Sequence, residues 1–268
     1  MKNIHPTAII GEDVSIGDDV TVGAYCVLQG NISIGNGTVL HSHVAVAGET
    51  TIGEGCEIFP FASIGHRPQD LKFAGETSRL MIGDNCTIRE NVTINPGTSG
   101  GGMETVIANN VLLMAGAHVA HDCHLGDNVI LVNHVSLAGH VVVDEHAIVG
   151  GLSGVHQFVR IGAHSIVGAM SMVENDVIPY GSVLGNRAYL GGLNLVGLKR
   201  RNFDRDEIHT LRAAYRMIFS NEGNLRERVE DAADIFNGHE LVDTVVNFVR
   251  KPSERSLCMP KNGLGDND

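Results

Sequence analysis

The chain has 268 residues, of which 43% are hydrophobic but only 4% aromatic, and it contains 33 glycines and no tryptophan. Few rings and many glycines favour thin, repeated layers over one large globular core. The formal net charge of −12 argues against non-specific nucleic-acid binding, which needs a basic face. We find neither an apolar signal core nor a run of about 18 apolar residues, so we expect a cytoplasmic protein without an integral membrane segment.

A six-residue repeat of aliphatic side chains fills most of the chain. Stepping by six over 4–64 meets only Ile, Leu or Val, and the same phase returns over 82–94. One residue out of phase, twelve further aliphatic residues follow over 107–173. A period of six does not fit an amphipathic helix, whose period is about 3.6 residues. Three hexads form one triangular coil, so the repeat predicts a parallel β-helix of roughly ten coils.

The residue four positions after each aliphatic is small or medium-sized, which predicts a second buried side chain in every hexad. Four cysteines occupy this interior position: Cys26, Cys56, Cys86 and Cys123. We therefore predict that they are buried packing residues. Because no Cys-x-x-Cys pair occurs, the sequence indicates neither a disulfide framework nor a zinc knuckle.

Two insertions interrupt the repeat, at 66–80 and 96–105, and loops expelled from a solenoid usually gather on a functional face. We predict that the β-helix occupies 1–187 and that a small α-helical domain occupies 188–268. Two capping boxes and a third apolar pattern predict helices that begin near Asp204, Asn224 and Leu241. From Pro252 onward we predict a frayed tail.

The chemically unusual stretch lies at 118–124, where three histidines and an aspartate replace the usual outward residues. The hexad phase puts His121 at an outward or corner position beside Asp122. An imidazole is the natural base near neutral pH, and a carboxylate can orient it. Gly139 follows His121 by 18 residues, so one coil places its bare N–H above the ring, where it could hold an oxyanion. This layout favours acyl transfer.

Two alternatives of a different class stay open from the residues alone. The pattern His118-x-x-His121-x-x-His124 could supply a zinc ion at a subunit interface, as in a trimeric enzyme of the carbonic-anhydrase kind. A non-catalytic solenoid is the other, although no flat array of repeated threonines runs along one face. Three further histidines occupy corner positions and are expected to be solvated: His134, His146 and His164.

Several motifs outside the repeat resemble the UDP-N-acetylglucosamine acyltransferases of lipid A biosynthesis, over essentially the whole chain. They are QDLKFAGE at 69–76, HVAHDC at 118–123, LAGH at 137–140, VHQF at 155–158 and GLKRRNF at 197–203. The resemblance implies a left-handed parallel β-helix in a homotrimer with active sites between subunits. It also implies transfer of an (R)-3-hydroxyacyl chain from acyl carrier protein to the sugar 3-position of UDP-N-acetylglucosamine. No metal is implied, and no cofactor beyond the carrier protein's phosphopantetheine.

The resemblance also assigns roles to particular residues. His121 would be the general base, Asp122 its orienting partner and Gly139 the oxyanion donor. The sugar-nucleotide and acyl site would be lined by Gln69, Asp70, Lys72, His118, His140 and His156. The nucleotide end would meet Gln157, Asn194 and Arg201, and the phosphopantetheine would meet Arg200. Ala169 matches the position that sets acyl length, where Ala in place of Gly predicts a shallower groove.

The chain departs from the family's pattern at Asn95-Pro96, where His-Arg is frequent, and at Arg187, where His is frequent. Some relatives acylate a 3-amino analogue, so ester and amide products both stay open. The nearest alternative is a sibling N-acyltransferase acting on acylated UDP-glucosamine. The GLKRRNF motif and the lack of a domain before Ile4 argue against it. We expect direct transfer, because Cys123 is interior and no serine is placed as a nucleophile.

Overall fold

The computed structural model describes residues 2–261. Short strands stack into three sheets along the faces of a triangular solenoid. The first sheet contains β1 Asn3–Ile4, β4 Thr21–Val22, β7 Val39–Leu40, β10 Glu57–Ile58, β13 Thr87–Ile88, β16 Leu112–Leu113, β19 Ile130–Leu131, β22 Ile148–Val149, β25 Ile166–Val167, β27 Gly181–Leu184 and β28 Tyr189–Leu193.

The second sheet contains β2 Ile9–Ile10, β5 Val27–Gln29, β8 Ala45–Ala47, β11 Ser63–Ile64, β14 Thr93–Ile94, β17 His118–Val119, β20 Ser136–Leu137, β23 Gly154–Val155 and β26 Met172–Val173. The third contains β3 Val14–Ile16, β6 Ile32–Ile34, β9 Glu49–Ile52, β12 Arg79–Ile82, β15 Glu104–Ile107, β18 His124–Leu125, β21 Val142–Val143 and β24 Arg160–Ile161. Neighbouring strands pair in parallel, except β27 with β28.

The hexad explains this architecture residue by residue. The repeating aliphatic ends most of the short strands and is buried from Val22 onward, as Val119 and Leu137 are, and these two pair across coils. The residue three positions later turns the corner with a positive φ, for example 59° at Asn128 and at Asp122. Asn and Asp tolerate this left-handed region better than most residues. The predicted parallel β-helix is confirmed; its left-handed sense stays a prediction.

The interior position behaves as the pattern predicts. Cys26, Cys56, Cys86 and Cys123 are all buried, with at most 1% of each residue exposed. The predicted packing role of these thiols is confirmed. The first insertion runs as a loop between β11 and β12, and the second runs as a loop between β14 and β15. The last two residues of each predicted insertion already belong to the strand that follows.

Four helices follow the solenoid in the described chain: α1 Leu195–Arg200, α2 Arg205–Ile218, α3 Leu225–Ile235 and α4 Glu240–Arg250. Both predicted capping boxes are present, at Asp204 and at Asn224. The sequence pattern missed α1 and the hairpin of β27 with β28, whose two strands lie on either side of the predicted boundary at residue 187. Within residues 2–261, no helix has the length and apolar character needed to cross a bilayer.

The expectation of a frayed tail is wrong for residues 252–261. Asp176 N–H donates to the Ser256 carbonyl at 2.8 Å, and Cys258 N–H donates to the Asp176 carbonyl at 2.8 Å. Cys258 is only 2% exposed, because this segment lies against the last coil. The remainder of the predicted tail, 262–268, lies outside the described residues.

Candidate active site

A buried carboxylate organises the stretch at 118–124. The Asp122 side chain is fully buried, and its Oδ2 lies 2.7 Å from Nδ1 of His121. The Thr98 N–H donates to Oδ1 at 2.9 Å, and the Thr98 hydroxyl donates to Oδ2 at 2.6 Å. The Asp122 N–H in turn donates to the Thr105 hydroxyl at 2.8 Å. Hydrogen bonds therefore hold the insertion at 96–105 to the corner of the solenoid that carries Asp122.

This network defines the chemical state of His121. A carboxylate only accepts hydrogen bonds, so the His121 proton is assigned to Nδ1, and Nε2 keeps a free lone pair. The His121 side chain is 15% exposed, enough for a substrate to reach it. The arrangement is a base held in one orientation by a buried acid residue, the layout used in many acyl-transfer sites.

Gly139 lies directly over the His121 ring, as the coil length predicts. A Cβ built at Gly139 would lie 2.5 Å from Cε1 and 2.6 Å from Nε2 of His121. The His140 N–H next to it donates to the His121 carbonyl at 3.0 Å, which fixes the register. Gly139 is buried against the ring, and within residues 2–261 no acceptor takes its N–H. Its placement is confirmed; its role as oxyanion donor stays a prediction.

His140 completes the cluster one coil above. Its ring meets His121 edge-on, with centroids 5.0 Å apart, and stacks on Phe158 at 4.4 Å. Its Nδ1 lies 3.9 Å from Asp122 Oδ2, too far for a hydrogen bond. Burial lowers the pKa of His140. The charges of Asp122 and Asp70 oppose this shift, whereas those of His121 and Lys72 add to it. His140 is therefore a neutral neighbour of the base at neutral pH.

His118 faces outward from β17, with Nδ1 2.7 Å from the Thr93 hydroxyl. Burial lowers the pKa of His118, and the nearby His121 lowers it further. A groove of about 480 Å³ begins beside it and follows the outward face of the second sheet. The groove is lined by His118, Ser136, Leu137, Ala138, Gly154, Val155, His156, Gln157 and Met172.

The groove has the length expected of a chain-binding site. His118, Ser136, Gly154 and Met172 face outward at the same register on four successive coils. Three strand spacings of about 4.8 Å give a floor of roughly 14 Å. Its middle is widened by the missing side chain at Gly154, and its lining is mainly apolar.

The two insertions are tied to each other over this site. Glu76 Oε1 accepts the Ser99 N–H at 2.9 Å, and this hydrogen bond, together with one from the Ala74 N–H, lowers the pKa of Glu76 to about 2. Gly101 packs on the buried carboxylate, since a Cβ there would lie 2.2 Å from Asp122 Cγ. Lys72 and Gln69 are exposed on the first insertion, and its Asp70 accepts the Lys72 N–H at 3.0 Å. The insertions therefore border the base, as predicted for a functional face.

Other predicted residues lie on a different edge of the prism. His121 occupies the edge between the second and third sheets, whereas Asn194 and Arg201 meet the edge between the third and first. Asn194 Nδ2 donates to the His164 carbonyl at 2.8 Å, and Arg201 Nη2 donates to the His146 carbonyl at 2.8 Å. Within one chain these two residues are not part of the His121 site.

Two corner histidines contradict the expectation of simple solvation. His146 and His164 stack with centroids 4.7 Å apart, and Phe203 meets His164 at 5.0 Å, because the start of the helical region covers this corner. His134 is exposed, as predicted. Arg200 is exposed at the end of α1, and Ala169 is exposed at a corner outside the groove lining.

The structure supplies only part of the ligand set that the zinc alternative requires. In the described chain, His121, Asp122 and His140 offer ligand atoms within 4.8 Å of one another, and His124 does not join them. The Asp122 carboxylate already accepts three hydrogen bonds, two from Thr98 and one from His121. These bonds account for the cluster without a cation, and the absence of a metal stays a prediction.

Three contributors were missed by sequence analysis. Thr98 and Thr105 belong to an insertion and to the strand after it, where no repeat identifies a partner. Arg255 lies in the supposed tail, yet its guanidinium contacts His156 and Gln157. No local signal marks any of the three, because each acts across a large sequence separation.

A hexad solenoid that carries a buried-acid–histidine pair defines a hexapeptide-repeat transferase, and comparison with known proteins supports this class. A family model described as a bacterial transferase hexapeptide (six repeats) matches residues 104–139. Another, described as UDP-N-acetylglucosamine O-acyltransferase, domain 2, matches residues 176–258.

Individual relatives extend the match over nearly the whole chain. The acyl-(acyl-carrier-protein)–UDP-N-acetylglucosamine O-acyltransferase of Bartonella henselae is 42% identical over 258 residues, 96% of this chain and 94% of that protein. The enzyme of that name from Paracoccus denitrificans is 52% identical over 203 residues, 76% of this chain and 77% of its own. The solved UDP-N-acetylglucosamine acyltransferase of Francisella novicida superposes with a TM-score of 0.93 at 35% identity, covering 97% of this chain and 95% of that chain. The chain belongs to the acyl-(acyl-carrier-protein)–UDP-N-acetylglucosamine O-acyltransferase family.

Proposed function

We propose that this chain transfers an (R)-3-hydroxyacyl group from acyl carrier protein to the sugar 3-position of UDP-N-acetylglucosamine, the first step of lipid A biosynthesis. The observation that carries the proposal is the His121–Asp122–Thr98 network with Gly139 over the ring. Family membership supports the same activity. The product is an ester for a 3-hydroxyl acceptor and an amide for its 3-amino analogue.

The chemistry follows from the free lone pair on His121 Nε2. This nitrogen takes the proton of the sugar 3-hydroxyl as the hydroxyl oxygen attacks the thioester carbonyl carbon. The oxyanion that forms is placed against the Gly139 N–H, and the buried Asp122 carboxylate stabilises the imidazolium. Collapse of the intermediate breaks the carbon–sulfur bond, and His121 returns the proton to the leaving thiolate. No covalent acyl-enzyme is required.

The groove on the second sheet supports the proposed donor. A mainly apolar floor of roughly 14 Å suits an acyl chain laid along the solenoid axis. His118 lies at one end, next to the base, and His156 and Gln157 line the wall. Asp70, Lys72 and Gln69 on the first insertion are proposed to contact the sugar nucleotide near His140.

The separation of the predicted residues supports a homotrimer as part of the proposal. Asn194 and Arg201 lie on one edge of the prism and His121 on another, so one chain alone does not assemble them. A closed symmetric assembly would bring one edge of a subunit to a different edge of its neighbour. Arg200, exposed on α1, is then proposed to meet the phosphopantetheine of the carrier protein. A cytoplasmic location belongs to the same proposal.

The test is acyl transfer from 3-hydroxyacyl carrier proteins to UDP-N-acetylglucosamine and to its 3-amino analogue. We expect transfer by the wild type, loss of at least about 10²-fold in kcat for His121→Ala, and near wild-type rates for the control His124→Ala. The preferred acceptor identifies the bond. Absence of transfer to both acceptors, with activity on acylated UDP-glucosamine, would identify the sibling reaction instead. Stoichiometric zinc in the purified trimer, with activity lost on chelation, would favour the metal enzyme.

A further inference from the structure

The segment 251–261, the C-terminal strap, returns from α4 to the last coil of the solenoid. Asp176 anchors it on both sides through backbone bonds to Ser256 and Cys258, each 2.8 Å long. The Leu190 N–H donates to the Met259 carbonyl at 3.0 Å. The buried Cys258 thiol donates to the Ala188 carbonyl at 3.0 Å. The strap is therefore fixed immediately after Arg255.

The anchor point is itself rigid. The Asp176 carboxylate is fully buried and accepts from Arg160 Nε at 2.7 Å. The Arg160 guanidinium lies over the Phe248 ring at 4.4 Å and donates to the Phe248 carbonyl at 3.3 Å. Helix α4, the coil and the strap thus meet at one ion pair, which leaves little freedom in the backbone that carries Arg255.

Arg255 reaches from the strap to the wall of the groove. Its Nε donates to the Gln157 carbonyl at 2.9 Å, and its Nη2 lies 2.5 Å from Nδ1 of His156. A guanidinium only donates hydrogen bonds, so His156 Nδ1 accepts in this contact. The same Nδ1 lies 3.4 Å from the Gln157 carbonyl, beyond the usual N–H···O range of about 2.7–3.2 Å, and Arg255 Nε already donates to that carbonyl. The guanidinium is therefore the partner that sets the tautomer. The ring proton is then on Nε2, and the contact exists only with a neutral imidazole.

We propose that Arg255 is a positioning residue that fixes His156 as the Nε2–H tautomer, so that the groove wall presents a hydrogen-bond donor to an oxygen of the acyl donor. This inference rests on the proposed function of the groove. The lining is mainly apolar, with polar side chains at His118, Ser136, His156 and Gln157. A mostly hydrocarbon ligand that carries few oxygens fits this lining. A hydrogen bond from His156 Nε2–H to one of those oxygens would fix the position of the ligand along the groove floor.

The first readout does not depend on activity. In ¹⁵N spectra of protein labelled at histidine rings, the His156 signals are assigned by their loss in His156→Ala. We expect an unprotonated Nδ1 and a protonated Nε2 in the wild type, and a mixture of tautomers in Arg255→Ala. The same tautomer in Arg255→Ala as in the wild type would overturn the proposal, whether or not the protein transfers acyl groups.

The second readout is kinetic, on the full-length protein. We expect Arg255→Ala to raise KM for the acyl carrier donor about fivefold, as expected for one neutral hydrogen bond, with kcat nearly unchanged. Arg255→Gln, whose amide can still donate, should recover part of the loss. In a His156→Ala background, Arg255→Ala should add less than twofold. The matched control is Arg226→Ala, an exposed arginine on α3. Full additivity of the two losses, or a loss that follows only from lower thermal stability, would overturn the proposal.

Discussion

The backbone of Gly139 lies over the ring of His121, so closely that a methyl group at residue 139 would come within 2.5 Å of Cε1. The contact follows from the solenoid itself, because one coil later the chain passes the same corner again. Only glycine at residue 139 leaves room for the His121 ring in this orientation. The His121 ring and the Gly139 backbone are thus brought together by the period of the repeat.

Gly139→Ala is therefore expected to displace the His121 ring from its bond with Asp122. A misplacement of about 1 Å at the reacting group can lower the rate by roughly 10²-fold, so kcat should fall by that order. The fold should persist, because the added methyl meets the ring and not the core. Gly100→Ala is the control, since a Cβ there meets nothing closer than 3.9 Å. Wild-type kcat in Gly139→Ala would contradict the placement.

Asp122→Asn should keep the corner geometry but change both the charge beside His121 and the tautomer of its ring. Asn accepts the left-handed backbone at this corner, where φ is 59°. The Thr98 N–H can only donate and so keeps the amide oxygen, which leaves the amide NH2 facing His121 Nδ1 and moves the ring proton to Nε2. The base nitrogen is then blocked and the charge that stabilises the imidazolium is lost, so we expect kcat to fall by about 10²–10⁴ while KM changes little. Steady-state kinetics on the folded protein measure this. An effect confined to KM would show that Asp122 binds substrate and does not support the base.

Thr98→Val should destabilise the protein as well as the site. The substitution keeps the shape but removes the hydroxyl that donates to the buried Asp122 at 2.6 Å. Hydrogen bonds to charged groups contribute about 1.5–3 kcal/mol, so the free energy of unfolding should fall by that order. Denaturant titration measures the change, with the exposed Thr51→Val as control. A cost no larger than that of the control would mean that the Thr98 N–H alone suffices.

The solenoid was predictable because its signal is periodic. Val119 and Cys123 are interior at the positions that the hexad gives them, and the coil length of 18 residues predicts Gly139 above His121. Asp122 and His121 are neighbours in sequence, so their pairing was also within reach. Each of these inferences needs only local pattern and a repeat length.

Contacts without a period could not be found this way. Thr98 approaches Asp122 from an insertion, and its position depends on how the two insertions pack on each other. The strap looked like a polar tail because its order comes from backbone bonds to Asp176 and Leu190 on the solenoid. The short helix α1 has too few residues to show a helical period. The Thr98 contact, the C-terminal strap and helix α1 all depend on tertiary contacts, which a local sequence pattern does not contain.

His164 should make stability depend on pH on the acid side. Burial lowers the pKa of His164 to about 4, and the charges of His146 and Arg201 add to the effect. Between the unfolded value of about 6.5 and this lower value, the unfolded chain binds a proton that the folded chain does not. The free energy of unfolding therefore falls as pH falls through this window, by at most about 1.4 kcal/mol per pH unit.

His164→Asn is expected to make that slope shallower, because Asn tolerates the corner and does not titrate. Denaturant titrations at fixed protein concentration between pH 7 and about 4 measure it, with the exposed His209→Asn as control. His118 and His140 act in the same direction and keep part of the slope. Identical slopes for the two variants would remove His164 as a contributor.

Acyl length should be set at the far end of the groove. Met172 faces Gly154 on the groove floor, and a Cβ at Gly154 would lie 3.4 Å from Met172 Sδ. We expect Met172→Ala to favour longer chains and Gly154→Val to favour shorter ones. Each acyl methylene that is newly buried or newly excluded changes the binding free energy by about 0.8 kcal/mol, which is a fewfold change in chain-length preference. Competition among 3-hydroxyacyl carrier proteins of different length measures the optimum.

Ala169, the position that the family resemblance assigns to acyl length, gives the competing prediction. It is exposed at a corner three residues before Met172, outside the lining of the groove within one chain. It can act on the chain end if a neighbouring subunit covers that corner, which the proposed trimer allows. Ala169→Gly then lengthens the preferred chain, and the effect requires the assembled trimer. An unchanged optimum in Ala169→Gly, together with a longer one in Met172→Ala, would place the end of the groove at Met172, because only a residue that touches the last methylene can discriminate by one carbon.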